Sequence, residues 1–164
     1  MQKADSPLGR WRTAAPFLAA LLVVAADQLT KMWVRSYPEG HLIYKTGFFQ
    51  LTDVHNTGAV FGLFQDHSLA LIIVAVAGVV LFLCLALFLH RRFPILVTMP
   101  NRVALGLILG GTLGNLIDRL RLGYVTDFID FRIWPAFNVA DPCIVIGTII
   151  IAYSLLRSVI AEKR

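Results

Sequence analysis

Four long apolar runs, at about 14–34, 68–89, 103–118 and 142–160, occupy most of the 164 residues. Each comes close to the roughly 20 mostly apolar residues that a helix needs to cross a bilayer. Only 15% of the residues are charged, against about a quarter in a soluble domain, so a soluble globular core is excluded. The chain reads as one membrane-embedded domain over 1–164, an all-α integral membrane protein with four transmembrane helices. The start has the look of a signal peptide, with Lys3, Arg10 and Arg12 before an apolar run and the small residues Ala25 and Ala26 further on. The apolar pattern nevertheless continues past Asp27 and Lys31 to Trp33 and Val34, which reads as an uncleaved first span.

The formal net charge of +5 comes from short clusters between the runs. No continuous basic face arises, and nucleic-acid binding is not indicated. Cys84 and Cys143 lie in apolar stretches without metal-ligand or redox spacing, and read as small packing residues. Orientation follows from the cations. Nine of them (Lys3, Arg10, Arg12, Arg91, Arg92, Arg102, Arg157, Lys163, Arg164) flank one side and five (Arg35, Lys45, Arg119, Arg121, Arg132) the other. Both termini are then cytoplasmic, and the connections 35–67 and 119–140 face outward. The first connection partly alternates apolar residues (Phe49, Leu51, then Val60, Phe61) around Asn56-Thr57-Gly58, which predicts short strands about a turn there. The second places Tyr124, Phe128, Phe131, Trp134 and Phe137 among charges, the composition of an interfacial segment. A small β-rich platform at the outer leaflet is the expectation.

Ionisable groups inside spans cost about 2.5–3.5 kcal/mol or more each at mid-helix and carry a functional hypothesis by default. Asp27 and Lys31 are four residues apart, acid first, the favourable order for a structural pair. Gly106, Gly110 and Gly114, with Gly111, make a small-residue stripe suited to close approach of another helix or an extended substrate. That stripe ends in Asn115, Asp118 and Arg119. Asn138 and Asp141-Pro142 open the last span, where Asp followed by Pro predicts Asp141 as the N-cap. Asp127 and Asp130 fall in the interfacial segment, where solvation is the simplest reading.

These residues converge near one membrane surface. Two carboxylates held close share a proton, so that one activates water while the other protonates a substrate oxygen or leaving group. His41, His55, His67 and His90 lie outside the runs without metal-ligand spacing, and no Ser or Cys has an evident base. An aspartic hydrolase without metal or cofactor suits these residue types, and position alone ranks Asp118 with Asp141 as the pair. A proton- or ion-coupled transporter is the alternative, but it predicts polar residues through the membrane depth. A non-catalytic assembly subunit would use the glycine stripe and leave the carboxylates unexplained.

Five short motifs, in order, resemble the bacterial lipoprotein signal peptidase (signal peptidase II) family. They are Asp27-Gln28 with Lys31; Asn56-Thr57-Gly58-Ala59-Val60-Phe61; Gly114-Asn115-Leu116-Ile117-Asp118-Arg119; Val125-Thr126-Asp127-Phe128-Ile129; and Phe137-Asn138-Val139-Ala140-Asp141. The resemblance implies a multi-pass enzyme of the bacterial inner membrane with its active site toward the outer face. It would be an aspartic endopeptidase that removes the signal peptide from prolipoproteins, cutting just before a diacylglyceryl-modified cysteine. Its expected partners are that substrate and membrane lipids, and its expected state a monomer. It also implies that Asp127 and Asp141 are the catalytic pair, which moves Asp118 to a supporting place with Asn56, Gly58, Asn115, Arg119, Asn138 and Ala140.

Overall fold

The computed structural model describes residues 7–57, 73, 76–78 and 98–162. Three long helices, α1 (Pro7–Val34), α2 (Met99–Leu122) and α3 (Ala140–Glu162), are each long and apolar enough to cross a membrane. Of the second expected span, residues 73 and 76–78 are helical, and the remainder, like Gly58, lies outside the described residues. The first helix ends at Val34 as the apolar run does. The other two extend beyond their runs, because Arg119, Arg121 and Leu122 continue the last turns of α2 and Ala140 starts α3. Helix α2 stops at Gly123, whose φ of 83° is left-handed and whose N–H bonds the Arg119 carbonyl at 3.1 Å.

The glycine stripe explains how the helices meet. A β-carbon on Gly110 would lie 2.6 Å from the Ala20 carbonyl oxygen of α1, and one on Gly111 would lie 2.5 Å from the Ala140 carbonyl oxygen of α3. Gly147 answers from α3 with the Ala104 carbonyl at 2.6 Å. Helix α2 therefore packs by backbone contact on two sides. Burial is the inverse of a soluble protein: Leu21, Leu22, Leu29, Ile149 and Leu156 are exposed, whereas Asp27, Lys31, Asn101, Asp118 and Asn138 are among the largest fully buried side chains. With lipid outside, the apolar residues need no core and the polar ones need each other.

At one end of the helices lies an antiparallel sheet in the order β1 (Leu42–Thr46), β2 (Phe49–Asn56), β3 (Val125–Asp130). The hairpin of β1 and β2 turns at Gly47, with φ of 53°; β2 ends at Asn56, and the turn expected at Asn56-Thr57-Gly58 lies, from Gly58 onward, outside the described residues. A left-handed turn residue is what glycine supplies without steric cost. One expectation is corrected here. The second outer connection is not an interfacial segment throughout, because residues 125–130 form the third strand and Phe137 bridges back to Ile129. Its aromatic residues pack on the sheet: Phe131 lies 5.5 Å from Phe49 and 5.8 Å from Phe137, ring centre to ring centre.

Candidate active site

Helices α1 and α2 end, and α3 begins, beside the sheet, so four elements deliver polar groups to one place. The lowest layer is an ion network with no water access. Lys31 Nζ, fully buried, lies 2.8 Å from Asp27 Oδ2 and 3.3 Å from Asp118 Oδ2, and donates to Asn115 Oδ1 at 2.9 Å. The expected Asp27–Lys31 pair is present, but it is two sides of a larger cluster. Asp27 also accepts the Ala140 N–H at 3.1 Å, tying α1 to the first turn of α3. Gly114 makes room for this, since a β-carbon there would stand 2.5 Å from Asp27 Oδ2.

Asp118 is held from every side. Its oxygens accept from Gln28 Nε2 at 3.1 Å, the Thr126 N–H at 3.0 Å and the Arg35 guanidinium at 3.3 Å, besides the Lys31 contact. Arg35 also bonds Thr126 Oγ1 at 3.0 Å. Asp118 thus pins β3 at the residue before Asp127, and with this many donors it is a clasp between helices and sheet. Gln28, Arg35 and Thr126 form the clasp with it, and sequence reading assigned none of them a role; a glutamine within an apolar span was the available signal.

Above this layer stand two carboxylates. Asp127, only 3% exposed, accepts from Asn56 Nδ2 and Asn138 Nδ2, both at 2.7 Å. It is not solvated as its sequence position suggested, because the sheet folds it inward. Burial, the leading cause, pushes its carboxyl up to about 7 from an ordinary 3.8; the nearby Asp141 adds to this, while the Asn56 and Asn138 bonds and Lys31 oppose it. Asp141 accepts from Asn115 Nδ2 at 2.8 Å and from the Asn138 N–H at 3.1 Å. Asn138 Oδ1 in turn accepts the Ala140 and Asp141 N–H groups at 2.9 and 3.3 Å. This reciprocal pattern is a capping box, so the cap of α3 is Asn138 and Asp141 sits in the first turn, a correction to the expected N-cap. Asn138 Nδ2 also reaches Asn115 Oδ1 at 3.0 Å. Arg119 lies within electrostatic reach of Asp118, Asp127 and Asp141.

Two amides in this layer have a determined direction. Asn115 Oδ1 faces Lys31, which turns its N–H toward Asp141; Asn138 Oδ1 faces the α3 N–H groups, which turns its N–H toward Asp127. Two carboxylates, one of them buried and titrating near neutrality, are thus presented with fixed donors: the arrangement that general acid–base hydrolysis needs. Among the described residues no group of three or more His, Cys, Asp or Glu side chains has metal-binding geometry.

Comparison with known proteins places this geometry. Residues 19–157 match the family model described as signal peptidase (SPase) II. The chain is 48% identical over 143 residues to a lipoprotein signal peptidase of Dehalococcoides mccartyi strain 195, covering 87% of this chain and 89% of that one. It is 48% identical to the corresponding protein of Moorella thermoacetica, covering 86% and 93%. Among solved structures, a bacterial membrane enzyme determined by the in meso method at 2.3 Å resolution superposes with a TM-score of 0.75 at 30% identity, covering 88% of each chain.

Proposed function

The chain belongs to the signal peptidase II family, and from that premise we propose that its peptidase activity is aspartic, with Asp127 and Asp141 as the catalytic pair. Membership makes it a bacterial membrane peptidase that removes signal peptides from prolipoproteins, and the transporter reading is not supported. The observation that carries the assignment of the pair is Asn138, which donates its side chain to Asp127 and its backbone N–H to Asp141 and so holds both carboxylates from one residue.

The reaction derives from the donors. Asp127, with a carboxyl near 7, carries the proton at neutral pH and serves as general acid. Asp141 has both oxygens accepting N–H bonds at the positive end of α3 and takes the proton of the attacking water as general base. Once the water adds to the scissile carbonyl, Asp127 protonates the leaving nitrogen and Asp141 returns its proton to the pair. Asn56, Asn115, Asn138 and the Ala140 segment hold the carboxylates, and Arg119 offers a charged donor for a substrate carbonyl.

A lipid on the substrate cysteine suits a dyad at this depth. Diacylglycerol anchored in the outer leaflet would bring the bond before that cysteine to the end of the helices, with the sheet and its aromatic residues beside it. The enzyme then works as a monomer in the inner membrane, with both termini cytoplasmic. The test is cleavage by the purified chain of a diacylglyceryl-modified prolipoprotein and its unmodified twin. Cutting before the modified cysteine, with the twin far slower, is expected. Equal rates would refute the role of the lipid, and full activity in Asp127→Asn would refute the pair.

A further inference from the structure

A second titratable cluster sits on the other face of the sheet. Successive strand residues point to opposite faces, so while Asn56 reaches Asp127, His55 faces away. His55 Nδ1 lies 3.2 Å from Glu39 Oε2 and Nε2 lies 3.5 Å from Asp53 Oδ2. The imidazole is stacked on Tyr124, ring centres 3.9 Å apart. Asp53 is 3% exposed, and its other oxygen, Oδ1, has no hydrogen-bond partner among the described residues. Asp53, two residues before His55 on β2, shares its face of the strand. The connection bearing Glu39 is already tied to β2 by the Gly40 N–H on the Asp53 carbonyl at 2.8 Å.

We propose that His55 is a positioning residue for the peptidase reaction: held between Glu39 and Asp53, it locks the end of β2 so that the next residue, Asn56, keeps its side chain on Asp127. The inference rests on the assignment of Asp127 above. Keeping both contacts requires a proton in each gap, one toward Glu39 and one toward Asp53. Losing either sets a nitrogen lone pair against a carboxylate, and at Asp53 that carboxylate is buried with one oxygen already unpartnered. The groups that face the imidazole's surroundings are Glu39 and Asp53 directly, Tyr124 beneath the ring, and Arg35, whose guanidinium is engaged with Asp118 and Thr126. Burial raises the Asp53 carboxyl above the ordinary range and His55 works against that rise, so the two groups depend on each other.

The experiment uses the full chain in detergent, with 13C-labelled aspartate carboxyls followed by NMR and Asp127 assigned by its loss in Asp127→Asn. Cleavage of the lipidated prolipoprotein is measured in parallel. His55→Arg keeps a permanent charge that can stack on Tyr124 and face both carboxylates; its Asp127 titration should match the parent. His55→Gln should move the Asp127 titration upward, as Asn56→Ala should by removing the donor itself, and lower kcat about tenfold, the scale of one lost charge-assisted hydrogen bond, with KM little changed. In an Asn56→Ala background His55→Gln should add nothing. Should His55→Gln not accumulate, Glu39→Gln, on a largely exposed side chain, opens the same clamp. An unmoved Asp127 titration in these variants, with or without lost stability, or full additivity with Asn56→Ala, would overturn the proposal. A parent chain that fails to cleave while His55→Gln still moves Asp127 would support the coupling and overturn the catalytic reading instead.

Discussion

Asn138 donates its side-chain N–H to Asp127 Oδ1 at 2.7 Å, and it does so because its own oxygen is committed to the first N–H groups of α3. The helix start therefore dictates which atom of the asparagine meets the carboxylate. A residue that would ordinarily serve only as a cap becomes the orienting link between two acids from different elements, one on a strand and one on a helix.

Replacing Asn138 by Asp separates these roles. The new carboxylate still caps α3 but offers no donor to Asp127 or Asn115 and brings a further negative charge beside the pair. Asn138→Asp should stay folded, shift the Asp127 titration upward, and lose cleavage by about 100-fold or more, the lower range of general acid–base contributions. Retention of parental cleavage would show that the donor to Asp127 is dispensable.

The glycines separate close packing from turn geometry. Gly114→Ala pushes a methyl onto Asp27 Oδ2, and Gly111→Ala pushes one onto the Ala140 carbonyl, each at 2.5 Å from a group fixed by the network. Both should sharply lower the amount of folded protein and its thermal midpoint in detergent. Gly123→Ala meets no atom within 4 Å and strains only a φ of 83°, so its cost should be about 1 kcal/mol. Equal behaviour of the three variants would count against backbone contact as the basis of helix packing.

The apolar runs made three helices legible because lipid demands continuous apolar length, and the i, i+4 spacing of Asp27 and Lys31 made that pair legible because both lie on one helix. What escaped depends on contacts between distant segments. Asp118 outranked Asp127 by position, yet its donors come from residues 28, 31, 35 and 126; nothing in local spacing reveals them. Asp127 looked solvated because a strand of six residues within an aromatic-rich connection gives no sign of which face is covered. Asp141 looked like the cap because Asp-Pro is a good helix start, but Asn138 three residues earlier completes a capping box that takes over that task.

Lys31 supplies the third expectation. Its removal as Lys31→Met leaves Asp27 and Asp118 buried without their shared cation and frees Asn115 to turn its oxygen toward Asp141. Breaking a buried ion cluster from one side costs on the order of 3–5 kcal/mol, so the variant should accumulate poorly. Restoring neutrality with Asp27→Leu in the same chain should recover part of the folded protein while cleavage stays lost, since Asp27 also holds the Ala140 N–H. A lone Lys31→Met variant as heat-resistant as the parent would remove the network from the stability argument.

Orientation is tested by cysteine labelling. In a background with Cys84 and Cys143 replaced, a single cysteine at Ser36, at the sheet end of α1, should react with an impermeant thiol reagent added outside intact cells. One at Ala161, at the other end of α3, should react only after the membrane is opened. The reverse pattern would place the sheet and the dyad in the cytoplasm and overturn the direction inferred from the nine-to-five cation count.

The last expectation joins the chemistry of Asp127 to stability. Its folded value of about 7 lies above the ordinary 3.8, so the folded state holds a proton that the unfolded chain has given up. The stabilisation from this site is complete below about pH 3.8 and is lost as pH rises through 7. Asn at this position cannot ionise and escapes that loss. Its amide can also be accommodated: the oxygen turns to Asn138, whose direction is fixed by α3, and its N–H meets Asn56 after that amide flips. Asp127→Asn should therefore gain stability relative to the parent between pH 5 and pH 8, by about 2–3 kcal/mol from the linkage of a single carboxyl, while losing cleavage by several orders of magnitude. Asp141→Asn should lose as much cleavage, with the double variant little worse than either alone, because the two act as a unit. Thermal unfolding of parent and variant in detergent at the two pH values reads the first effect. A difference that does not change with pH would mean that the Asp127 carboxyl titrates as an ordinary one and is not the proton-carrying member of the pair.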